Sequence, residues 1–427
     1  MDAISDRPSG QRERDHFIPA RKSDILRALL GQDALGGEPE RDKFRHVCRL
    51  LAAIYHYEYF DQLERMRDNY YYFNPEHDAR ARFDAATIDQ AYRDLTDRLI
   101  AVLHGANFIE VTREEIERAH RDHALVPVNI EAAVEQYRDI RFFRRGQHRE
   151  MLEVSEWYGW RKRKFEADVY DDVVLMVTTK NDDGAANGKK KRKPKVRPGA
   201  MMLKYFHNIP SADLNALFPD VRVVMRLRDQ LIIGVPALLG GVPILLKLGS
   251  TLTVLFLVAG FYLGFSNAVQ DDELGTALAA LSGLVALGGF MVTQWVKFQR
   301  QTLMYRQVLS DNIYYRNVNN NAGIFDYLIG AAEEQDCKEA FLAYLFLLSG
   351  EPLASDELDS RIEGWLQKSF GTVVDFECSD AIAKLERLGL LRRDGERLTV
   401  LPLDQALARL DRVWDDTFRY AGGSAAG

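Results

Sequence analysis

Residues 231–249 read "LIIGVPALLGGVPILLKLG", a stretch apolar enough to enter a membrane although it contains two prolines and a lysine. A Gly-Val-Pro motif occurs twice in it, seven residues apart, and the residues that define the repeat are Gly234, Pro236, Gly241 and Pro243. Pro243 has no N–H to donate to the carbonyl four residues earlier, which disfavours a straight helix. We predict that 231–248 is re-entrant or kinked. A third kinked transmembrane helix with a snorkelling Lys247, and the core of a soluble domain, remain open alternatives.

Two uncharged runs follow and are candidates for transmembrane helices. Residues 251–266 are short but could span with help from flanking polar residues, and residues 276–296 are long enough to cover about 30 Å. Trp295 would lie at the membrane interface. Together with 231–248 these runs define a predicted membrane module, 231–297, with a transmembrane hairpin. Basic residues flank the module on both sides, so the positive-inside tendency places both soluble parts on the cytoplasmic side.

Composition limits the remaining possibilities. The chain has 427 residues, enough for two or three domains, and its mean hydropathy of −0.26 excludes a transporter that is helical and apolar throughout. The formal net charge of −7 argues against a dedicated nucleic-acid binder, since such proteins carry basic domains. The three cysteines are far apart and include no CxxC pair, which indicates a reducing compartment.

The pattern along the chain predicts a mainly α membrane protein. We expect a disordered tail over 1–22, a helical N-terminal region over 23–168, and a small α/β part over 169–230 that contains a mobile basic loop, 181–199. After the membrane module, residues 298–349 are predicted to form a helical extension. Residues 350–427 are predicted to form a winged-helix-like domain, because helices are followed there by a hairpin with Asp394-Gly395 at its turn.

Several long stretches occur in an order that resembles a known family. They are "HFIPARKSDILRALL" (16–30), "YFHNIPSADLNALFPDVRV" (205–223), "LIIGVPALLGGVPILLKLG" (231–249), "ALAALSGLVALGG" (277–289), "LSDNIYYRNVNNNAGIF" (309–325) and "AAEEQDCKEAFLAYLFLL" (331–348). The chain resembles the uncharacterised family that contains transmembrane protein 143 (domain of unknown function 3754), in its bacterial form. The resemblance implies a hydrophobic hairpin between soluble regions, and it implies no activity. With the charge pattern, it places the protein in the bacterial inner (plasma) membrane.

Two basic segments are candidate contacts for anionic lipid headgroups. "WYGWRKRKF" (157–165) combines aromatic and basic residues, and the loop 181–199 carries a second basic run. The candidate contact residues are Arg161, Lys162, Arg163, Lys164, Lys189, Lys190, Lys191, Arg192 and Lys193. A solubilising surface and RNA binding would give the same sequence pattern.

Three other patterns favour structural interpretations. Glu117, His120 and His123 share a helix face, but a metal site of that type needs further helices, so we interpret them as a solvated face. The acids around Cys337 in "AEEQDCKE" (332–339) are likewise interpreted as a solvated helical face. The aromatic residues of 54–60 and 69–73 are assigned to the core.

No catalytic, cofactor or metal motif is evident: the chain has no Walker loop, GxGxxG, GxSxG or HExxH. The predicted function is therefore a membrane-anchored adaptor or regulatory protein, with the lipid bilayer and a protein as partners. The alternative is a membrane-bound enzyme that acts on lipid. Transport of a small solute is disfavoured by the small number of spans.

Overall fold

A computed structural model describes most of the chain outside its central apolar region. The described residues are 16–76, 83–112, 114–116, 129–132, 137–156, 161–181, 197–218, 221–224, scattered helical positions between 282 and 303, 315–348 and 350–417.

Seven numbered helices form the helical part of the described chain. They are α1 (Lys22–Leu30), α2 (Glu38–Tyr70), α3 (Ala85–Gly105), α4 (Gly323–Leu348), α5 (Ser355–Phe370), α6 (Cys378–Arg387) and α7 (Leu403–Thr417). Short 3-10 helices cover Asp33–Leu35 and Ser211–Leu217. Residues 41–73 and 86–107 have apolar residues at helical spacing, and most of them belong to α2 and α3.

In the described ranges, nine strands form three antiparallel sheets. The strands are β1 (Ile109–Val111), β2 (Asn129–Ala132), β3 (Tyr137–Glu156), β4 (Arg161–Thr179), β5 (Met201–Pro210), β6 (Val221–Val224), β7 (Asn317–Asn320), β8 (Leu391–Asp394) and β9 (Arg397–Val400). The main sheet has the order β1-β3-β4-β5-β7, and β2-β6 and β8-β9 form two-stranded sheets. β4 and β5 are antiparallel neighbours, paired from Val169 opposite Pro210 to Thr178 opposite Met201.

Local sequence explains where several elements begin and turn. Asp84 precedes α3, and its carboxylate accepts a hydrogen bond from the Thr87 backbone N–H at 3.1 Å, which satisfies one of the free donors of the first turn. Thr112 and Glu115 form a capping box: the Thr112 N–H donates to the Glu115 carboxylate at 2.8 Å, and the Glu115 N–H donates to the Thr112 hydroxyl at 3.3 Å. Gly395 adopts a left-handed φ of 59° between β8 and β9, as the predicted hairpin requires.

Helix α4 is at the centre of the fold. It contacts α1, α2, α3, α5 and α6, and one continuous hydrophobic cluster extends from Ile18 through α4 to Leu410. A smaller cluster, which includes Phe142 and Leu214, covers part of the main sheet. The aromatic residues assigned to the core divide between the two environments: Tyr55, Tyr59, Tyr70 and Phe73 are buried, whereas Tyr57, Phe60 and Tyr71 are exposed.

The structure corrects the predicted fold class. In the described ranges, no helix combines the length and the apolar composition that crossing a bilayer requires. What is described is an α+β protein with a five-stranded antiparallel sheet, so the prediction of a mainly α membrane protein with a transmembrane hairpin is wrong for this part of the chain. A transmembrane helix requires a long uncharged run, but buried segments of other folds also contain such runs, so the run alone does not identify a span. The segments 231–248 and 251–266 lie outside the described residues, as does most of 276–296.

The predicted helical N-terminal region is also corrected. Residues 137–156 and 161–168, expected within that region, are the long strands of the β3–β4 hairpin. Their frequent charges hide the alternation of a strand, because both sides of the outer hairpin carry polar residues. Within the predicted helical extension 298–349, α4 begins at Gly323, after strand β7, and its buried residues belong to the same core as those of α2 and α3.

Candidate functional site

The polar segment of α4 is buried, and the prediction of a solvated helical face for 332–339 is wrong. Gln335, Asp336, Lys338 and Glu339 are all buried, as is Cys337. The cause is the central position of α4, because its neighbours cover nearly every face of this helix. A buried charge is costly unless it is paired, so the partners of these side chains define a candidate site.

Lys384 of α6 enters this polar segment. Its ammonium Nζ lies 2.6 Å from Asp336 Oδ1, 2.7 Å from Glu339 Oε2 and 2.5 Å from Asp380 Oδ2. We call these four residues the Lys384 cluster. The three carboxylates are close enough together to share a metal ion. The Lys384 ammonium lies within hydrogen-bond distance of all three and supplies the positive charge from the chain itself.

Two further elements contact the Lys384 cluster. The Tyr59 hydroxyl donates to Asp336 Oδ2 at 2.8 Å, and Asn107 Nδ2 donates to Glu339 Oε1 at 3.1 Å. Gly105 leaves room for the tyrosine, since a Cβ at this position would lie 3.0 Å from the Tyr59 hydroxyl. The cluster therefore joins α2, the end of α3, α4 and α6.

Burial and mutual charge shift the pKa values within the Lys384 cluster. Burial raises the pKa of Glu339 to about 7 in spite of the adjacent ammonium, and it also raises the pKa of Asp336. Burial alone would lower the pKa of Lys384, but the surrounding carboxylates outweigh it and raise that pKa. One ammonium is shared by three carboxylates, so Lys384 stays charged while the most buried acid holds its proton to higher pH.

A second buried network surrounds Arg145 on β3. The Arg145 Nε donates to Asp172 Oδ2 at 2.9 Å, and His207 also pairs with Asp172. Although burial opposes it, the hydrogen bond from His207 and the charge of Arg145 lower the pKa of Asp172. The Asp172 carboxylate in turn raises the pKa of His207. The Arg145 guanidinium also lies 4.4 Å from the Phe17 ring centroid.

Lys338 lies between the two networks. Its Nζ donates to the Ile18 carbonyl at 3.0 Å, pairs with Glu334 Oε1 at 3.1 Å, and lies 5.8 Å from the centroid of the Phe17 ring that also contacts Arg145. The chain before α1 is thus tied to α4 and to the main sheet by charged side chains.

The chemistry of these networks favours a structural role. The raised pKa of Lys384 leaves its amine protonated near neutral pH, so it is not a general base. Burial raises the pKa of Cys337 to about 12, which disfavours the thiolate that a nucleophile needs. Their charged groups are satisfied by other groups of the chain, and we therefore assign the networks to holding the elements together.

The long hairpin β3–β4 extends beyond the other strands of its sheet. β1 pairs with β3 only at 142–144. β5 pairs with β4 only from Val169 towards higher residue numbers of β4, and Pro210, the last residue of β5, lies opposite Val169. We call the remainder, 147–156 and 161–168, the outer ribbon. Gly146 and Asn208, with φ of 68° and 53°, lie on the two strands that flank β4 near Asp171, so the sheet changes its backbone conformation where the ribbon leaves it.

Several described side chains of the outer ribbon are exposed, although Ala167 is buried. Met151 is 63% exposed, and Arg149 and Asp168 form an exposed ion pair at 3.4 Å. The paired segments 147–156 and 161–170 contain five basic and five acidic residues, so their net charge is zero. Charges of opposite sign lie opposite each other in the register, for example Glu153 opposite Lys164.

The structure separates the two predicted basic contacts. Arg161–Lys164 lie in the outer ribbon, whereas the loop that contains Lys189–Lys193 leaves the other end of β4, where the Gly199 N–H donates to the Lys180 carbonyl. The strand between the two ends spans about 60 Å at roughly 3.3 Å per residue. Residues 182–196 lie outside the described residues, and a chain of that length reaches out and back by only about 28 Å. A single lipid-contacting surface formed by Arg161–Lys164 and Lys189–Lys193 together is therefore disfavoured. That either group alone contacts anionic lipid stays a prediction.

The predicted residues of the membrane module are not brought together in the described chain. Gly234, Pro236, Gly241, Pro243 and Lys247 lie outside the described residues, as do Glu117, His120 and His123. Trp295 occupies a described helical position and is 62% exposed.

Sequence analysis missed the partners of the buried charges. Lys384 and Asp380 belong to a helix of zero net charge and gave no signal by themselves. The available signal was the position of Asp336, Lys338 and Glu339 in the middle of a helix whose two ends are mostly apolar, "GIFDYLIGAAEEQDCKEAFLAYLFLL". Charges on all faces of a buried helix indicate pairing with other elements.

Residues 170–323 match a family that is described as a protein of unknown function (DUF3754). The matched range begins within β4, includes Asp172 and His207 of the Arg145 network, and ends at the first residue of α4. No solved structure matches the chain. The Lys384 cluster and the whole outer ribbon lie outside the matched range, so their role has to be argued from their own geometry.

Proposed function

We propose that the protein is a protein-binding module in which the outer ribbon is the docking arm. The observation that carries this proposal is the open backbone on both sides of the ribbon. Among the described strands, none pairs with 147–156 on the side away from β4 or with 161–168 on the side away from β3. Unpaired strand edges bind other strands through backbone hydrogen bonds.

The charge of the ribbon favours a protein over a polyanion. Nucleic acids require surplus positive charge along the contact, whereas this ribbon has none. A strand edge that carries both acidic and basic residues instead gives specificity towards another polypeptide. Membrane anchoring is not part of this proposal, and anionic lipid remains an alternative only for the isolated basic segments.

The buried networks support this role because they hold the base of the ribbon in place. An arm can transmit or hold a partner only if its base is rigid, and the base of the ribbon contains Arg145, which is tied to Asp172, Phe17 and the Ala106 carbonyl. We propose that the Lys384 cluster and the Arg145 network provide this rigidity.

Site-specific photocrosslinking tests the proposal. A photoreactive residue is placed at Met151 on the ribbon and, as a matched control, at Phe60 on α2, which is also exposed at 51%. We expect adducts of discrete protein mass at position 151 and none at position 60. Each partner identified in this way is then purified and titrated against the full chain and against a chain with a shortened ribbon. Adducts that are the same at both positions, or equal affinity for both chains, would contradict the proposal.

We also propose that, among proteins with this domain of unknown function, the chain is related to the family that contains transmembrane protein 143, in its bacterial form. The ordered stretches at 16–30, 205–223 and 331–348 support it, and two of these extend beyond residues 170–323. The kinship predicts that such a relative has the same β1-β3-β4-β5-β7 sheet. A structure of a relative with a different strand order would contradict it.

A further inference from the structure

Lys204 on β5 is a half-buried lysine on an apolar face of the main sheet. Successive residues of a strand point to opposite faces, so Met202, Lys204 and Phe206 share one face. Phe206 belongs to the smaller hydrophobic cluster, as does Leu175, which lies opposite Lys204 on β4, and Met202 packs against the same cluster. The Lys204 side chain therefore extends from a surface whose neighbours on β4 and β5 are apolar.

No carboxylate compensates this lysine within the described ranges. None of their acids forms an ion pair with Lys204, and burial lowers the pKa of its amine. The two buried networks differ in this respect, because Lys384 and Arg145 are each paired with carboxylates. A buried ammonium without a counter-charge is costly, so a larger share of the Lys204 amine is neutral than in an exposed lysine. A neutral amine is a nucleophile.

Two asparagines of β7 lie beside Lys204. Asn320 is opposite Lys204 in the register and Asn317 is opposite Phe206, so both belong to the face of Lys204. Asn317 Nδ2 donates to Asn320 Oδ1 at 2.9 Å. Asn317 Oδ1 is buried and accepts no hydrogen bond from the described residues. Diagonal neighbours on adjacent strands are within reach of a long side chain, so this face combines a reactive amine with a free acceptor.

We infer that Lys204 is a site of reversible covalent binding for an aldehyde with an apolar tail. The Lys204 nitrogen attacks the carbonyl carbon, a C–N bond forms, and one N–H proton passes to the carbonyl oxygen. The carbinolamine then loses its hydroxyl and the remaining N–H proton as water, which leaves a C=N bond. Asn317 Oδ1 accepts a hydrogen bond from the carbinolamine hydroxyl, and the tail lies against Met202.

The surroundings of Lys204 select this class of ligand. An anion would require the ammonium form, which burial disfavours, whereas an aldehyde requires the neutral amine. Condensation with an aldehyde releases only water, so it needs no second reagent. The inference is independent of the docking arm, since Lys204 pairs with the part of β4 that lies beyond the outer ribbon. Failure of either proposal therefore leaves the other in place.

Reductive trapping on the full chain tests the inference. Hexanal is added at neutral pH with cyanoborohydride, which converts a C=N bond into a stable secondary amine, and peptide mass mapping locates the modified lysines. Lys180 is the internal control, because it is exposed and directly follows β4. We expect Lys204 to be trapped on the order of tenfold faster than Lys180, because more of its amine is neutral. Trapping of Lys204 at the rate of Lys180, or more slowly, would overturn the inference.

Two variants test the chemical cause. N320D places a carboxylate opposite Lys204 and keeps the oxygen that accepts from Asn317, so it favours the ammonium. We expect it to slow the trapping of Lys204 at neutral pH by on the order of tenfold, and the rates of variant and wild type to converge at alkaline pH. K204R should abolish the adduct at this position. Lys180 should react alike in all three chains, and thermal transitions check their folding. A pH profile for Lys204 that N320D leaves unchanged would contradict the missing counter-charge.

A second aldehyde tests the apolar tail. Glycolaldehyde offers the same carbonyl group with a hydroxyl in place of the alkyl chain. We expect half-maximal trapping of Lys204 at a hexanal concentration on the order of tenfold lower than the glycolaldehyde concentration, because only the alkyl chain is removed from water at this face. At Lys180 the two aldehydes should differ little. The same ratio of the two concentrations at Lys204 and Lys180 would overturn the apolar site.

Discussion

The Lys384 cluster and the outer ribbon use the same residue types in opposite ways. In the cluster, the lysine forms ion pairs with its three carboxylates, and the Glu339 carboxylate is buried, with Glu339 1% exposed. In the ribbon, Arg149 and Asp168 pair in solvent and the backbone edges stay open. Charge that is buried ties elements of one chain together, whereas charge along an open edge selects what binds there. This contrast yields four predictions.

The largest expected effect is the removal of the buried cation. K384M leaves three carboxylates without their ammonium, and breaking a buried pair in this way costs about 3–5 kcal/mol. We expect the free energy of unfolding, measured by denaturant titration, to fall by that amount. The matched variant R149A removes an exposed cation and should cause no measurable change. Equal losses in both variants would contradict the contrast.

The second prediction concerns pH. In the unfolded chain Glu339 loses its proton near the ordinary glutamate pKa of 4.5, whereas burial raises the pKa of Glu339 in the folded protein to about 7. Between these values the folded protein binds more protons, so its stability falls as pH rises, by on the order of 3 kcal/mol across the window. E339Q should flatten this decline in free energy of unfolding, and E166Q on the ribbon should not. The same slope in wild type and E339Q would refute the assignment.

A smaller effect is expected at Gly105. The Cβ of G105A would crowd the Tyr59 hydroxyl and weaken its hydrogen bond to Asp336, at a cost of about 1–3 kcal/mol. The same change at Gly330, which has open space in α4, should stabilise the helix by about 0.5–1 kcal/mol. In a Y59F background the penalty at Gly105 should largely vanish. Thermal unfolding of the variants measures all of these effects.

The smallest effect on stability is expected from loss of the ribbon. Arg149 and Asp168 are opposite each other in the register, so an Asn-Gly turn can replace 150–167 between them. A two-stranded ribbon stabilises a fold little, and we expect the free energy of unfolding to change by no more than about 1 kcal/mol. A large loss in denaturant titration would show that the ribbon belongs to the core rather than to a docking arm.

Much of the helical fold could be predicted from the sequence, but the long hairpin could not. The apolar spacing of α2 and α3 is visible because one face of each helix is buried and the other is not. The inner part of β4 is visible in "VVLMVTT" for its β-branched residues. β3 reads "YRDIRFFRRGQHREMLEVSE", in which charges interrupt every alternation, so its strand structure follows from pairing with β4. The uncharged runs after residue 250 drew the prediction towards a membrane hairpin.

The candidate sites were less predictable because they depend on distant partners. Asp336 and Glu339 could be seen as unusual charges within an apolar helix, but Lys384 is separated from them by 48 and 45 residues. Nothing local marks α6 as the source of the cation. The register of the ribbon likewise comes from the structure.

The position of Lys384 late in the chain has a consequence for synthesis. A growing polypeptide that has emerged only as far as α5 already contains Tyr59, Asp336 and Glu339, but their counter-charge is still inside the ribosome. The central helix then has acids that it cannot bury unless they take up protons. Its final packing must therefore wait until α6 has been synthesised and has brought Lys384 to the acids.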